Sequence, residues 1–240
     1  MITSAQQLKT KIFADGADLY SMVKMNGDPL IAGFTTNPTL MKKAGVEDYE
    51  RFARAVLEEV REKPISFEVF SDEFPEMREQ ARKIALWGTN VYVKIPITNT
   101  RGASSANLIG ELAAEGIKLN VTAVFTLEQI EAVLPALVAG TPSYVSVFAG
   151  RIADSGRDPV ALMSEAVDLL RPHSHVELIW ASPREVLNVV QADEVGCDII
   201  TVTWDILKKL NLLGKDLNEF SLDTVKMFYA DACAAGFVIG

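Results

Sequence analysis

VYVKIPIT, residues 91–98, is the stretch whose reading decides the fold. Val, Tyr and Ile favour a pleated, half-buried backbone, and Pro96 suits the close of a strand. Lys94 is the exception within it. A lysine in such a run is seldom fully buried unless something pairs with it or the chemistry uses it. If Lys94 points to one side, Tyr92 and Pro96 point with it, leaving Val93, Ile95 and Ile97 for the other side.

Similar runs recur on both sides of this stretch: KIFAD (11–15), LIAGFTT (30–36), ISFEVF (65–70), LNVTAVF (119–125), YVSVFAG (144–150), HVELIWA (175–181) and DIITVTW (198–204). Between most of them lie helical patterns. EDYERFARAVLEEVREK (47–63) starts acidic and ends basic, as the helix dipole favours, and DEFPEMREQARKIALWG (72–88) stops at Gly88. About eight alternations with no Pro-, Gly- or Ser-rich linker predict parallel βα units closed into a single (β/α)8 TIM barrel of class α/β over residues 1–240. An open doubly wound sheet is the alternative. Residues 221–240 carry apolar side chains at helical spacing and then a bare hydrophobic end, a helical tail that could pack on the barrel or on a neighbouring subunit.

At 240 residues, 49% hydrophobic and 23% charged, the chain is long enough for one large core. Its 23 basic residues against 32 acidic ones give a net charge of −9, which repels polyanions and argues against nucleic-acid or membrane-surface partners. MITSAQQLK, residues 1–9, lacks a basic stretch followed by an apolar run, and no segment has the ~18 apolar residues of a membrane span, so a soluble cytoplasmic protein is expected. Cys197 and Cys233 are too few for a disulfide framework or zinc site. His173 and His175 read as a loop entering a strand. Neither a Walker loop nor GxGxxG follows a strand, so no metal and no organic cofactor is expected.

In a barrel, residues of one parity fill the interior. Lys94, Glu68, Asn120 with Thr122, and Ser146 alongside Phe148 then converge near the strand ends with Asp15, which closes the first strand. Each has a plainer reading. Lys94 could reach solvent at a strand end, Glu68 could be its buried ion-pair partner, and Asp15 or Asp18 could cap a helix. Asn120, Thr122 and Ser146 could be satisfied core polar groups, and Trp87, Trp180 and Trp204 core fillers.

GFTTNPTLM (33–41), VYVKIPIT, LNVTAVFT (119–126) and SVFAGRIAD (146–154) resemble, in order and spacing, the transaldolases and the small fructose-6-phosphate aldolases. The resemblance runs from about Asp15 to Thr203. It implies Schiff-base class I aldolase chemistry on a circularly permuted barrel, with Lys94 as the nucleophile on the fourth strand. Asp15 would be the acid/base at the sugar hydroxyls, and Glu68 with Thr122 would position a catalytic water. Thr35, Asn37, Asn120, Ser146 and Phe148 would contact the sugar, while Arg151, Ser182 and Arg184 would bind phosphate. Glu68 and Phe148 match transaldolases, whereas the aldolases carry Gln and Tyr there. The resemblance thus implies transfer of a dihydroxyacetone unit between sugar phosphates, with two alternatives: an aldolase releasing dihydroxyacetone, or a non-catalytic sugar-phosphate-binding barrel. A homo-oligomer is expected from the apolar tail.

Three departures bear on specificity. Trp180 stands where the family has Gly or Ala and, sharing the parity of Ser182, is expected to face the cavity. NTRGASS (99–105) is one residue longer than the family's T-x-x-G and puts Arg101 in a loop above the strand ends. Pro183 replaces an aromatic between Ser182 and Arg184.

Overall fold

Eight parallel strands pair in sequence order and close on themselves: β1 (Lys11–Asp15), β2 (Ile31–Thr35), β3 (Ile65–Glu68), β4 (Val91–Pro96), β5 (Leu119–Val124), β6 (Ser143–Val147), β7 (Val176–Trp180) and β8 (Ile199–Thr203). This computed structural model describes residues 2–137 and 140–239. The barrel is therefore closed, and the open sheet is not adopted.

Helices surround it: α1 (Leu19–Asn26), α2 (Pro38–Lys43), α3 (Tyr49–Glu59), α4 (Phe74–Ala85), α5 (Ala106–Ala114), α6 (Leu127–Val133), α7 (Ala149–Asp154), α8 (Val160–Leu170), α9 (Leu187–Glu194), α10 (Trp204–Leu207) and α11 (Leu217–Ala235). Caps set several starts. Asp18 accepts from Ser21 N at 3.0 Å and Asp48 from Arg51 N at 3.0 Å, and Thr126 with Gln129 forms a capping box. Because Asp18 caps α1, Asp15 is left for the barrel end.

Strand parity sorts the core. Outward residues such as Val93, Ile95, Val121 and Val145 join the main cluster under the helices. Inward ones, Phe13, Tyr92, Tyr144, Ile179 and Ile199, form a separate cluster inside the barrel. Tyr92 and Tyr144 stack at 4.0 Å, with Phe13 edge-on to Tyr144 at 5.8 Å. A Cβ on Gly33 would lie 2.6 Å from the Phe13 ring, so this glycine makes room for the plug.

Two seams are short. β2–β3 and β7–β8 carry two register pairs each, where the others carry four or five. At β2–β3 the pairs are Phe34 with Ile65 and Thr35 with Ser66, so the sheet parts before Glu68.

The tail helix begins at Leu217, capped by Asp216, and ends on Gly236 in the left-handed conformation. No residue of α11 is buried; Val225, Met227, Phe228 and Tyr229 are all exposed. The tail therefore does not pack on its own barrel. No described helix is long and apolar enough to cross a membrane.

Candidate active site

A cavity of about 500 Å³ opens at the C-terminal ends of the strands. Its wall includes Asp15, Thr35, Asn37, Glu68, Lys94, Thr122, Ser146, Phe148, Arg151, Ser182 and Arg184. The barrel thus brings together side chains that lie up to 186 positions apart in the chain, from Asp15 to Thr201.

Lys94 is only 6% exposed. Its Nζ donates to the Thr36 carbonyl at 2.9 Å and lies 3.2 Å from Glu68 Oε2. Register explains the pairing, because Glu68 and Lys94 are direct partners across β3–β4. The ion-pair reading of Glu68 and its place on the cavity wall are therefore the same fact.

Asp15 faces this pair from β1. Thr35 Oγ1 donates to Asp15 Oδ1 at 2.7 Å, and Thr201 Oγ1 lies 2.5 Å from Thr35 Oγ1. With Asp15 ionised, Thr35 spends its proton on the carboxylate and so accepts from Thr201. Asn37 Nδ2 is 3.5 Å from Asp15 Oδ2, while its Oδ1 caps α2 by accepting from Leu40 N at 3.0 Å. The cap directs the amide nitrogen toward the cavity. Burial pushes the Asp15 carboxyl above its ordinary value, against the opposing pull of Lys94 and the hydrogen bonds from Thr35 and Asn37.

Thr122 Oγ1 is buried without a hydrogen-bond partner although it lines the cavity, so its hydroxyl is available to water or ligand. Next to it Ala123 has φ 58°, and β5 loses register with β6 between Val121 and Val124. Ser182, with φ 60°, is the other left-handed non-glycine residue among those described, and it too is on the cavity wall. Such conformations persist where surrounding structure holds them, commonly at ligand sites.

At the cationic rim, Arg151 lies over the Phe148 ring, 5.4 Å from its centroid, and no carboxylate is within ion-pair distance of it among the described residues. Arg184 Nη1 donates to Ser182 Oγ at 3.1 Å, and its Nε reaches Asp154 at 2.9 and 3.0 Å. Gly150 lets α7 approach this loop, since a Cβ there would lie 1.6 Å from the Ser182 carbonyl oxygen.

Trp180 requires a correction: it is 0% exposed, packs in the outer core and is absent from the cavity wall. Parity does place it opposite Ile179 and Ala181, which face inward. Ser182 reaches the cavity only because its left-handed backbone breaks the alternation after β7. Asn120 is also not on the cavity wall; it lies beneath, donating to Ser66 Oγ at 3.0 Å and accepting from Ser146 Oγ at 2.7 Å. Arg101 is bound bidentately by Glu73 at 2.7 and 2.9 Å, fastening its loop to the one after β3. Thr201, Thr39 and Ala181 line the cavity but were not singled out from the sequence. For Thr201, the inward parity of β8 was the available signal.

A buried lysine paired with Glu68 shares one cavity wall with Asp15 and an arginine-bearing rim at the mouth of a parallel (β/α)8 barrel. The chain belongs to the transaldolase/fructose-6-phosphate aldolase family, whose model matches residues 12–237. A relative from Dehalococcoides mccartyi, named "Probable transaldolase", is 34% identical over 201 residues, covering 83% of this chain and 89% of the relative. One from Methanococcus maripaludis, named likewise, is 37% identical over 204 residues with the same coverage. Among solved structures, a Burkholderia cenocepacia J2315 protein with a phosphonomutase-type description superposes with TM-score 0.56 at 14% identity, covering 88% of this chain and 93% of that one. That likeness concerns the fold alone.

Proposed function

We propose that this enzyme transfers a three-carbon dihydroxyacetone unit from a ketose phosphate, such as fructose 6-phosphate, to an aldehyde acceptor through a Schiff base on Lys94. The observation that carries the reading is the burial of Lys94 Nζ against Glu68, with Asp15 and the unpartnered Thr122 hydroxyl on the same cavity wall.

The amine must shed a proton to attack, and Glu68 Oε2 at 3.2 Å is positioned to accept it. Addition to the keto carbon gives a carbinolamine; Glu68, through a water held by Thr122, returns a proton to its hydroxyl, which leaves as water. The resulting iminium accepts the electron pair of the C3–C4 bond as that bond breaks. Asp15, its carboxyl raised by burial and so a stronger base once ionised, takes the C4 hydroxyl proton. An aldehyde leaves and the enamine stays on Lys94. The enamine carbon then bonds to the acceptor carbonyl, Asp15 returns its proton to the new hydroxyl, and hydrolysis frees the lysine. Arg151, Ser182 and Arg184 would hold the phosphate and fix the reacting carbon. Phe148 supplies no hydroxyl to help water compete for the enamine, which favours transfer over release.

We further propose that residues 1–240 act as one domain in a cytoplasmic homo-oligomer. The apolar, uncovered face of α11 supports a second copy as its partner.

The test is borohydride reduction with fructose 6-phosphate followed by peptide mass mapping. An adduct confined to Lys94 is expected. Lys94→Arg should give no adduct and no turnover, because a guanidinium does not deprotonate to attack. Turnover retained in that variant contradicts the reading, and rapid dihydroxyacetone release without acceptor replaces transferase by aldolase.

A further inference from the structure

The opened end of the β2–β3 seam holds a feature that the chemistry above does not use. In a parallel ladder a residue donates to one partner-strand residue and accepts from the residue two positions further along. Thr36 N–H donates to the Ser66 carbonyl at 3.2 Å, so the next link would run from Glu68 N–H to the Thr36 carbonyl. That link is replaced. Glu68 N–H donates instead to Tyr49 Oη at 2.8 Å, and the Thr36 carbonyl accepts from Lys94 Nζ at 2.9 Å. The Tyr49 hydroxyl completes the exchange by donating to the Glu68 carbonyl at 3.0 Å.

We propose that Tyr49 is a positioning residue for the transfer reaction: its phenol stands in for β2, holding the Glu68 main chain and leaving the Thr36 carbonyl free for Lys94. The inference rests on the reading of Lys94 as nucleophile and Glu68 as its proton acceptor. Both backbone groups of Glu68 end on one oxygen, so the phenol fixes where that carboxylate leaves the strand. Without it, two part-buried backbone groups lack partners, and the nearest remedy is for Glu68 N–H to close on the Thr36 carbonyl. That closure would take from Lys94 one of its two polar contacts and draw Glu68 toward β2.

The tyrosine is itself well held. It is the first residue of α3, immediately after the Asp48 cap, and its ring packs against Phe70 at 4.4 Å, Trp87 at 5.4 Å and Phe67 at 6.1 Å. Behind the cluster lies a second cavity of about 430 Å³, lined in part by Tyr49, Glu68, Phe70 and Trp87. The ring therefore closes the barrel wall on the side where the sheet has parted.

Tyr49→Phe keeps the ring and removes the oxygen. Steady-state assays with fructose 6-phosphate and an aldehyde acceptor should show kcat reduced about 10–100-fold, the scale of a small misplacement of a reacting group, with KM changed by less than about twofold. In a Glu68→Gln background the same change should cost clearly less than in the wild type, because the share exerted through the Glu68 carboxylate is gone and only the share exerted through the Thr36 carbonyl on Lys94 is left. A folded Tyr49→Phe with kcat close to wild type overturns the proposal. So does a full loss that persists in the Glu68→Gln background, which would mark a general structural role. Should Tyr49→Phe fail to fold, Phe70→Leu loosens the ring's seat at a half-exposed position and keeps every hydroxyl. It should lower kcat in the same non-additive way, and an unchanged kcat there overturns the proposal as well. Borohydride trapping on wild-type protein separates the two readings: no adduct at Lys94 removes the Schiff-base reading and this one with it, whereas a wild-type adduct with an indifferent Tyr49 removes only this one.

Discussion

Gly150→Ala is the sharpest test of the cationic rim. The added Cβ would meet the Ser182 carbonyl oxygen at 1.6 Å, so α7 and the loop after β7 must part by about 1.8 Å to restore an ordinary contact near 3.4 Å. Both partners are backbone, and Ser182 is already left-handed at φ 60°, so no side-chain rotation relieves the overlap. Overpacking of this kind costs about 1–3 kcal/mol. For a chain of this size that lowers Tm by about 2–12 °C, measurable by calorimetry. The displacement falls on Ser182 and, two residues on, Arg184, whose guanidinium is tied to Asp154 and the Ser182 hydroxyl. A shift exceeding 1 Å at a substrate anchor can cost about 100-fold. Activity with fructose 6-phosphate should therefore fall by about that factor in kcat/KM, while the much slower turnover of unphosphorylated fructose should fall far less. A Gly150→Ala protein that melts like wild type, or that loses both activities equally, refutes the assignment of this rim to phosphate.

Two further outcomes are expected. Burial raises the Asp15 carboxyl, so its contribution to stability is present below the unfolded carboxylate value and is lost as pH rises through the folded one. Asp15→Asn should thus melt above wild type at pH 7, by a margin that vanishes in acid, while kcat falls at least about 100-fold. A margin independent of pH refutes the cause. Removing residues 217–240 should turn an assembly seen by light scattering into monomers, since α11 carries the largest run of uncovered apolar side chains among the described residues; an assembly that persists refutes α11 as its interface, and a full-length protein that is already monomeric refutes the oligomer.

All eight strands lie where β-forming runs occur in the sequence, within a residue or two at most ends, because each is short, apolar and bounded by helix caps or turns. The central group was legible for the same reason: Lys94, Glu68 and Ser146 are polar residues at inward positions of otherwise apolar strands. What failed was parity beyond a strand end. Trp180 shares the sequence parity of Ser182, but one left-handed residue reverses the alternation. Thr201 carries no signal of its own in the sequence because a threonine within IITVT is an ordinary β-former, and only closure of β8 onto β1 carries it toward Thr35. Tyr49 was hidden differently. On α3 it is one aromatic on an amphipathic helix, and its hydroxyl matters only where β2 and β3 separate, a long-range property of the closed barrel.

The aromatic plug of Phe13, Tyr92 and Tyr144 has a kinetic consequence. With the lower end of the barrel filled, the site is a cup with a single mouth, so every ligand must come and go by the same route. For the proposed transfer, the first aldehyde has to vacate before the second can enter. Initial-rate plots at several fixed acceptor concentrations should then be parallel lines, a double-displacement pattern imposed by the shape of the vessel as much as by the covalent chemistry.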